Sequence, residues 1–230
     1  MDHNPIIVAL DVDSAGEARA LATRLGEGVD FYKVGMELYA AGGMEIVREL
    51  KDRGKQVFLD LKLYDIPETV RRTVAQVARV GVRFLTVHAV GPVLRAAVEG
   101  KGDARLQLLG VTVLTSFGPE DAAELDFTGT MAELVERRTR RAVEAGVEGI
   151  VASPLDAAAV RRILGPGRIL VTPGVRSAGR DRGDQKRVAT PYEAVRDGAD
   201  YLVIGRQITR AADPAAETAR ILEEIAGVVA

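Results

Sequence analysis

The stretch VFLDLKLYDIPETVRRTVAQVARVGVRFLTVHA, residues 57–89, reads as one strand–helix–strand unit. An apolar run opens it (VFLDL, 57–61) and another closes it (FLTVHA, 84–89). Between them ETVRRTVAQVARVG (68–81) repeats its apolar positions with the 3.6-residue period of a helix. Gly81 stands just before the second run, where a left-handed C-terminal cap is expected. Both runs are apolar on either alternation, as parallel strands are when helices cover one face and a core the other.

The rest of the chain repeats this unit. Six more apolar runs read as strands: IIVALD (6–11), FYKVG (31–35), LQLLGVTVL (106–114), GIVAS (149–153), RILVTPG (168–174) and YLVIG (201–205). Helical periodicity marks 15–25, 42–54, 131–146, 155–164, 190–198 and 213–227, and Gly54, Gly146 and Gly198 repeat the cap signal. Eight strand–helix units predict a single-domain (β/α)₈ TIM barrel over residues 1–230. An open doubly wound sheet is the alternative, but no glycine cradle follows the first strand in IIVALDVDSAGEA. The Gly- and charge-rich SAGRDRGDQKR, 177–187, is too long for a plain turn and predicts a mobile functional loop around 176–190.

Composition narrows the partners. A net charge of −2, from 31 cationic and 33 anionic residues, removes the electrostatic case for nucleic acid or a membrane surface. Aromatic residues make up 4% with no tryptophan, which argues against base-stacking platforms. The chain has no cysteine, so thiolate catalysis, disulfides and Cys-based metal sites are excluded. The N-terminal MDHNPIIVALDVD has no signal-peptide pattern, and no apolar run approaches a membrane span, so the expected setting is the cytoplasm and the expected ligand a small molecule.

Barrel enzymes carry their chemistry at the C-terminal ends of the strands. Those ends read Asp11, Lys33, Asp60 with Lys62, His88, Thr115 with Ser116, Ser153, Pro173 to Arg176, and Gly205 with Arg206. Only six of the 31 cations are lysine, so Lys33 and Lys62 at strand ends stand out in a chain that otherwise uses arginine. Asp60 and Lys62, two apart, would face the same side of a strand. Facing solvent they would be an idle ion pair; at the barrel mouth they would be two charges held close in low dielectric. Asp65 also reads as a helix N-cap, with Pro67 in the first turn and Glu68 completing a capping box; a cap and a catalytic carboxylate are compatible. His88 reads as a hydrogen-bonded core residue rather than a base. Gly174, Gly205 and Arg206, after strands seven and eight, form a candidate phosphate cradle, with Gln185 and Arg187 placed to close over an anion. Two ordinary turns with solvated charge would leave Arg206 at the mouth unexplained.

The motif D-x-K-x-x-D-I-P-x-T at 60–69 resembles the signature of the orotidine 5′-phosphate decarboxylase family. IIVALDVDS, FYKVGMEL, TVHA, VTVLTS, TPGVR, GDQKRVATP and DYLVIGRQIT resemble the family's other segments in order, so the likeness covers nearly the whole chain. The resemblance implies a TIM barrel that decarboxylates orotidine 5′-monophosphate to UMP without metal or other cofactor. It implies Lys33, Asp60, Lys62 and Asp65 as a catalytic array of alternating charge, with Lys62 as proton donor. It further implies Asp11 and Lys33 at the ribose, Thr115 at the pyrimidine, and Pro173, Arg176, Gln185, Gly205 and Arg206 toward the phosphate. Asp65 and Thr69 would reach into the neighbouring site of an obligate homodimer. The nearest rival is a Mg²⁺-dependent sugar-phosphate decarboxylase or synthase sharing the D-x-K-x-x-D core; a phosphate-ligand sensor is a third reading.

Overall fold

Eight parallel strands close into a barrel in the order β1 to β8, with β8 (Tyr201–Ile204) pairing back onto β1 (Ile6–Ala9). The architecture comes from a computed structural model that describes residues 4–118, 121, 127–179 and 187–229. The other strands are β2 (Phe31–Gly35), β3 (Gln56–Leu63), β4 (Phe84–His88), β5 (Gln107–Val111), β6 (Gly149–Val151) and β7 (Ile169–Pro173). Around them lie α1 (Ala15–Leu25), α2 (Met36–Asp52), α3 (Pro67–Val80), α4 (Gly91–Lys101), α5 (Met131–Ala145), α6 (Ala157–Leu164) and α7 (Pro191–Arg196). The short α8 (Arg206–Thr209) and the C-terminal α9 (Pro214–Val229) complete the shell. The predicted TIM barrel is the observed fold.

Strand alternation builds two cores. Ile6, Val8, Tyr32, Val34, Leu59, Leu85 and Ile204 point outward and pack with the helices. Ile7, Phe31, Phe58, Phe84, Leu109, Val171 and Tyr201 point inward and fill the barrel. Phe84 is the hub of the inner layer, with ring centroids 5.1 Å from Phe31, 5.9 Å from Phe58 and 5.4 Å from Tyr201. Arg83 lies beneath these rings, 5.2 to 5.4 Å from three centroids, and donates to the Tyr201 hydroxyl at 2.6 Å. This aromatic layer plugs the N-terminal end of the barrel. Inward positions one step further along the strands, Lys33 and Asp60 among them, therefore form the floor of the opposite mouth.

Details depart from the sequence reading where packing outweighs pattern. Gly54, Gly81, Gly146 and Gly198 all take positive φ, as their position before strands predicts. Helix α4, however, has no counterpart among the helical periods read from the sequence; it opens on Gly91-Pro92 and contains Gly100. Proline is tolerated in a first turn, and at Gly100 a Cβ would collide with the Arg71 carbonyl oxygen, so the glycine admits close packing against α3. Helical residues begin at Met36 rather than 42, interrupted at Gly43 (φ 56°). The Asp65–Glu68 capping box does not form: Ile66 is the N-cap of α3 and Glu68 is taken by Arg71 at 2.7 and 2.8 Å.

Candidate active site

At the C-terminal mouth four charged side chains alternate in sign. Lys33 Nζ lies 2.8 Å from Asp11 Oδ1 and 3.7 Å from Asp60 Oδ2, and Lys62 Nζ lies 2.8 Å from the same Asp60 oxygen. Asp60 and Lys33 are buried, 8% and 9% exposed, so their charges interact through protein rather than water. Burial alone would push the Asp60 carboxyl up, but Lys33, Lys62 and the Thr86 hydroxyl hold it below the usual carboxylate range. Burial likewise opposes the Lys33 ammonium, and Asp60 and Asp11 overcome it, leaving its pKa raised. Gly35 makes the first pair possible: a Cβ there would lie 2.8 Å from Lys33 Nζ and 3.2 Å from Asp11 Oδ1.

Lys62 reaches the array through an irregularity in its own strand. Pairing between β3 and β4 shifts from Leu59↔Leu85 to Leu63↔Val87, so four steps of β3 span two of β4. Bulges of this kind re-aim side chains beside active sites. Within the bulge Lys62 has φ 48°, the one non-glycine residue with positive φ among the described residues. Its freed N–H donates to Thr86 Oγ1 at 2.8 Å, and that hydroxyl donates onward to Asp60 Oδ1 at 2.9 Å. Thr86 thus satisfies the bulge and orients the carboxylate together. Sequence reasoning passed over it; its place two residues before His88, on the strand beside β3, was the available signal.

Above the array opens a cavity of about 670 Å³, lined on one side by Asp11, Lys33, Asp60 and Lys62 and opposite by Pro173, Gly174, Arg176, Gly205 and Arg206. Thr115 and Ser116 line it between, beyond the end of β5. Arg176 is buried, with one guanidinium nitrogen donating to the Val175 carbonyl at 2.7 Å. Gln185 lies outside the described residues, as do the other residues of 180–186 in the predicted loop; Arg187 instead pairs with Asp156 at 2.5 Å. Ser153 caps the turn at Pro154–Asp156, accepting from the Leu155 N–H at 3.3 Å, and so belongs to the scaffold.

Asp65 is not part of the array within the chain. It is exposed, accepts the Ile66 N–H at 2.6 Å, and borders a separate cleft with Thr69, Tyr64 and Lys62. Asp11 takes the fourth place instead. The His88 ring rests edge-on against Tyr64, centroids 5.6 Å apart, rather than hydrogen-bonded in the core; among the described residues its imidazole has no hydrogen-bond partner. Burial, with Arg138 and Lys62 nearby, lowers its pKa. Among the described residues no three His, Cys, Asp or Glu side chains gather where they could hold a metal ion, and no helix is long and apolar enough to cross a membrane.

A Lys–Asp array with Lys33 and Asp60 buried at its centre, at one side of a barrel mouth and facing arginines at the other, defines an enzyme of the (β/α)₈ class whose working groups are acids, bases and fixed charges. The chain belongs to the orotidine 5′-phosphate decarboxylase / HUMPS family, whose model matches residues 4–221. It is 52% identical over 221 residues to the orotidine 5′-phosphate decarboxylase of Nitrobacter winogradskyi, covering 96% of this chain and 92% of that one. The Methylobacterium radiotolerans protein of the same name is 50% identical over 221 residues, covering 96% of each. Among solved structures, orotidine 5′-phosphate decarboxylase from Lactobacillus acidophilus superposes with a TM-score of 0.85 at 34% identity, over 97% of this chain and 99% of that one. An uncharacterized conserved protein from Geobacillus kaustophilus gives 0.82 at 38%, over 96% and 100%.

Proposed function

We propose that Lys62 is the group through which this chain, as a carboxy-lyase, decarboxylates orotidine 5′-monophosphate to UMP in de novo pyrimidine synthesis. The C6–carboxylate bond breaks, CO₂ leaves, and the electron pair remains on C6. The Lys62 ammonium stabilises that charge and donates the proton that replaces CO₂; water then reprotonates the amine. Asp60, fixed by Thr86, holds the ammonium in place, and Lys33 keeps the Asp60 charge while reaching with Asp11 toward the ribose hydroxyls. Carboxylate beside carboxylate raises the ground state, and departure of CO₂ relieves it. Thr115 addresses the pyrimidine amide. Pro173, Gly205, Arg176 and Arg206 take the phosphate side, with Gln185 added, and binding energy from that remote group is expressed in the transition state.

The observation that carries this reading is the 2.8 Å contact of Lys62 with a buried aspartate whose other neighbours are Lys33 and Thr86. Asp65 and Thr69 complete the neighbouring site of a homodimer. Support for that comes from the exposure of Asp65 between Tyr64 and Ile66, apolar residues that are 68% and 67% exposed, a composition suited to being covered by a second copy. The test is loss of orotidine 5′-monophosphate absorbance on adding enzyme in the presence of a chelator. Turnover that needs added Mg²⁺ would instead place the chain with the metal-dependent branch of its family.

A further inference from the structure

Arg176 and Arg206, two cations that line the phosphate side of the cavity, are each followed by a residue of one closed polar network. Ser177 Oγ donates to Glu224 Oε2 at 2.7 Å and accepts from Gln207 Nε2 and Arg220, each at 2.8 Å. A hydroxyl has one donor and two acceptor sites, and all three are used. Gln207 is equally committed. Its Oε1 accepts the Ser177 N–H at 3.0 Å, and its second Nε2 proton goes to Glu217 Oε1 at 2.9 Å. Arg220 closes the ring on Glu217 at 2.8 Å. Glu217, Arg220 and Glu224 lie at i, i+3 and i+7 on α9, so one face of the C-terminal helix supplies the outer half. Ser177 and Glu217 are buried, 5% and 9% exposed, where a polar network is stable only with its groups paired.

We infer that the Ser177–Gln207 clamp, braced by α9, is a positioning device that sets the spacing of Arg176 and Arg206 for a phosphate monoester. On the far side the Arg176 backbone is already fixed, its N–H donating to the Ala189 carbonyl at 3.0 Å. The strand-seven loop and the start of α8 are joined at this point by the Gln207 side chain, which holds both the N–H and the hydroxyl of Ser177, and the two arginines sit one residue away on each side. The clamp touches no substrate; it acts through the backbones that carry the arginines. The inference rests on the proposed nucleotide reading of the site.

The test uses Ser177→Ala and Gln207→Leu in the full chain, each assayed on orotidine 5′-monophosphate and on orotidine, which lacks the phosphate. For the nucleotide, kcat/KM falls about tenfold, mainly through KM, the loss of roughly one charge-assisted hydrogen bond. For orotidine it stays within about twofold, since a group that acts only on the phosphate is silent there. An equal fall on both substrates would reduce the network to scaffolding and overturn the inference, as would unchanged nucleotide kinetics in both variants. Should Ser177→Ala fail to fold, Gln207→Leu, which leaves the serine in place, decides. Wild-type protein inert toward both compounds would overturn the reading of the site instead.

Discussion

The left-handed backbone of Lys62 can be isolated by comparing two substitutions that both delete its ammonium. At φ 48° an L-residue bears about 1–2 kcal/mol of steric cost that glycine escapes. Glycine gives back roughly 0.5 kcal/mol through its freer unfolded chain. Lys62→Gly should therefore be about 1 kcal/mol more stable than Lys62→Ala. In both variants Asp60 loses the same 2.8 Å partner, so that electrostatic loss cancels in the difference. For a chain of 230 residues the gap is about 2–4 °C in Tm, within reach of calorimetry or urea unfolding. A Lys62→Gly protein that melts at or below Lys62→Ala would refute the claim that the strand stores strain at Lys62.

Two further outcomes follow from the array and its rim. Asp60 has its pKa depressed in the fold, so its contribution to stability is complete above the usual carboxylate range and is lost as pH falls through the lowered value. The stability gap between wild type and Asp60→Asn should hold near neutrality and shrink below about pH 4; a gap unchanged into strong acid would contradict the depression. Mixing inactive Lys62→Ala with inactive Asp65→Ala should restore part of the activity through hybrid dimers that contain one intact site. No recovery despite demonstrated subunit exchange would place Asp65 in its own chain's site.

The barrel was legible because parallel strands buried on both faces and helices closed by Gly81 or Gly146 write their periods plainly. Lys33, Asp60 and Lys62 were legible for a related reason: charge at the end of an apolar strand has to be held by something. What the sequence hid depends on register. Thr86 looks like any β-branched strand residue until β4 is set beside the bulge of β3. Gly35 looks like a turn glycine until the Lys33 ammonium is seen where its Cβ would be. Gln207 and Ser177 are 30 residues apart and carry no local pattern; only closure of β7 against β8 brings them together. Asp65 was readable as charged and as directed to a neighbouring site, and within the chain the turn into α3, where it accepts the Ile66 N–H, holds it outside the array.

If Lys62 does chemistry rather than binding, its removal must show in turnover and not in affinity. Turnover of orotidine 5′-monophosphate and affinity for UMP, measured side by side in wild type and Lys62→Ala, test this most directly. Losing both a proton donor and a fixed positive charge at C6 should lower kcat by about 10⁴-fold or more, while UMP affinity changes by only a modest factor because the ribose and phosphate contacts remain. A Lys62→Ala enzyme that keeps substantial turnover, or one whose loss lies wholly in nucleotide affinity, would contradict the account.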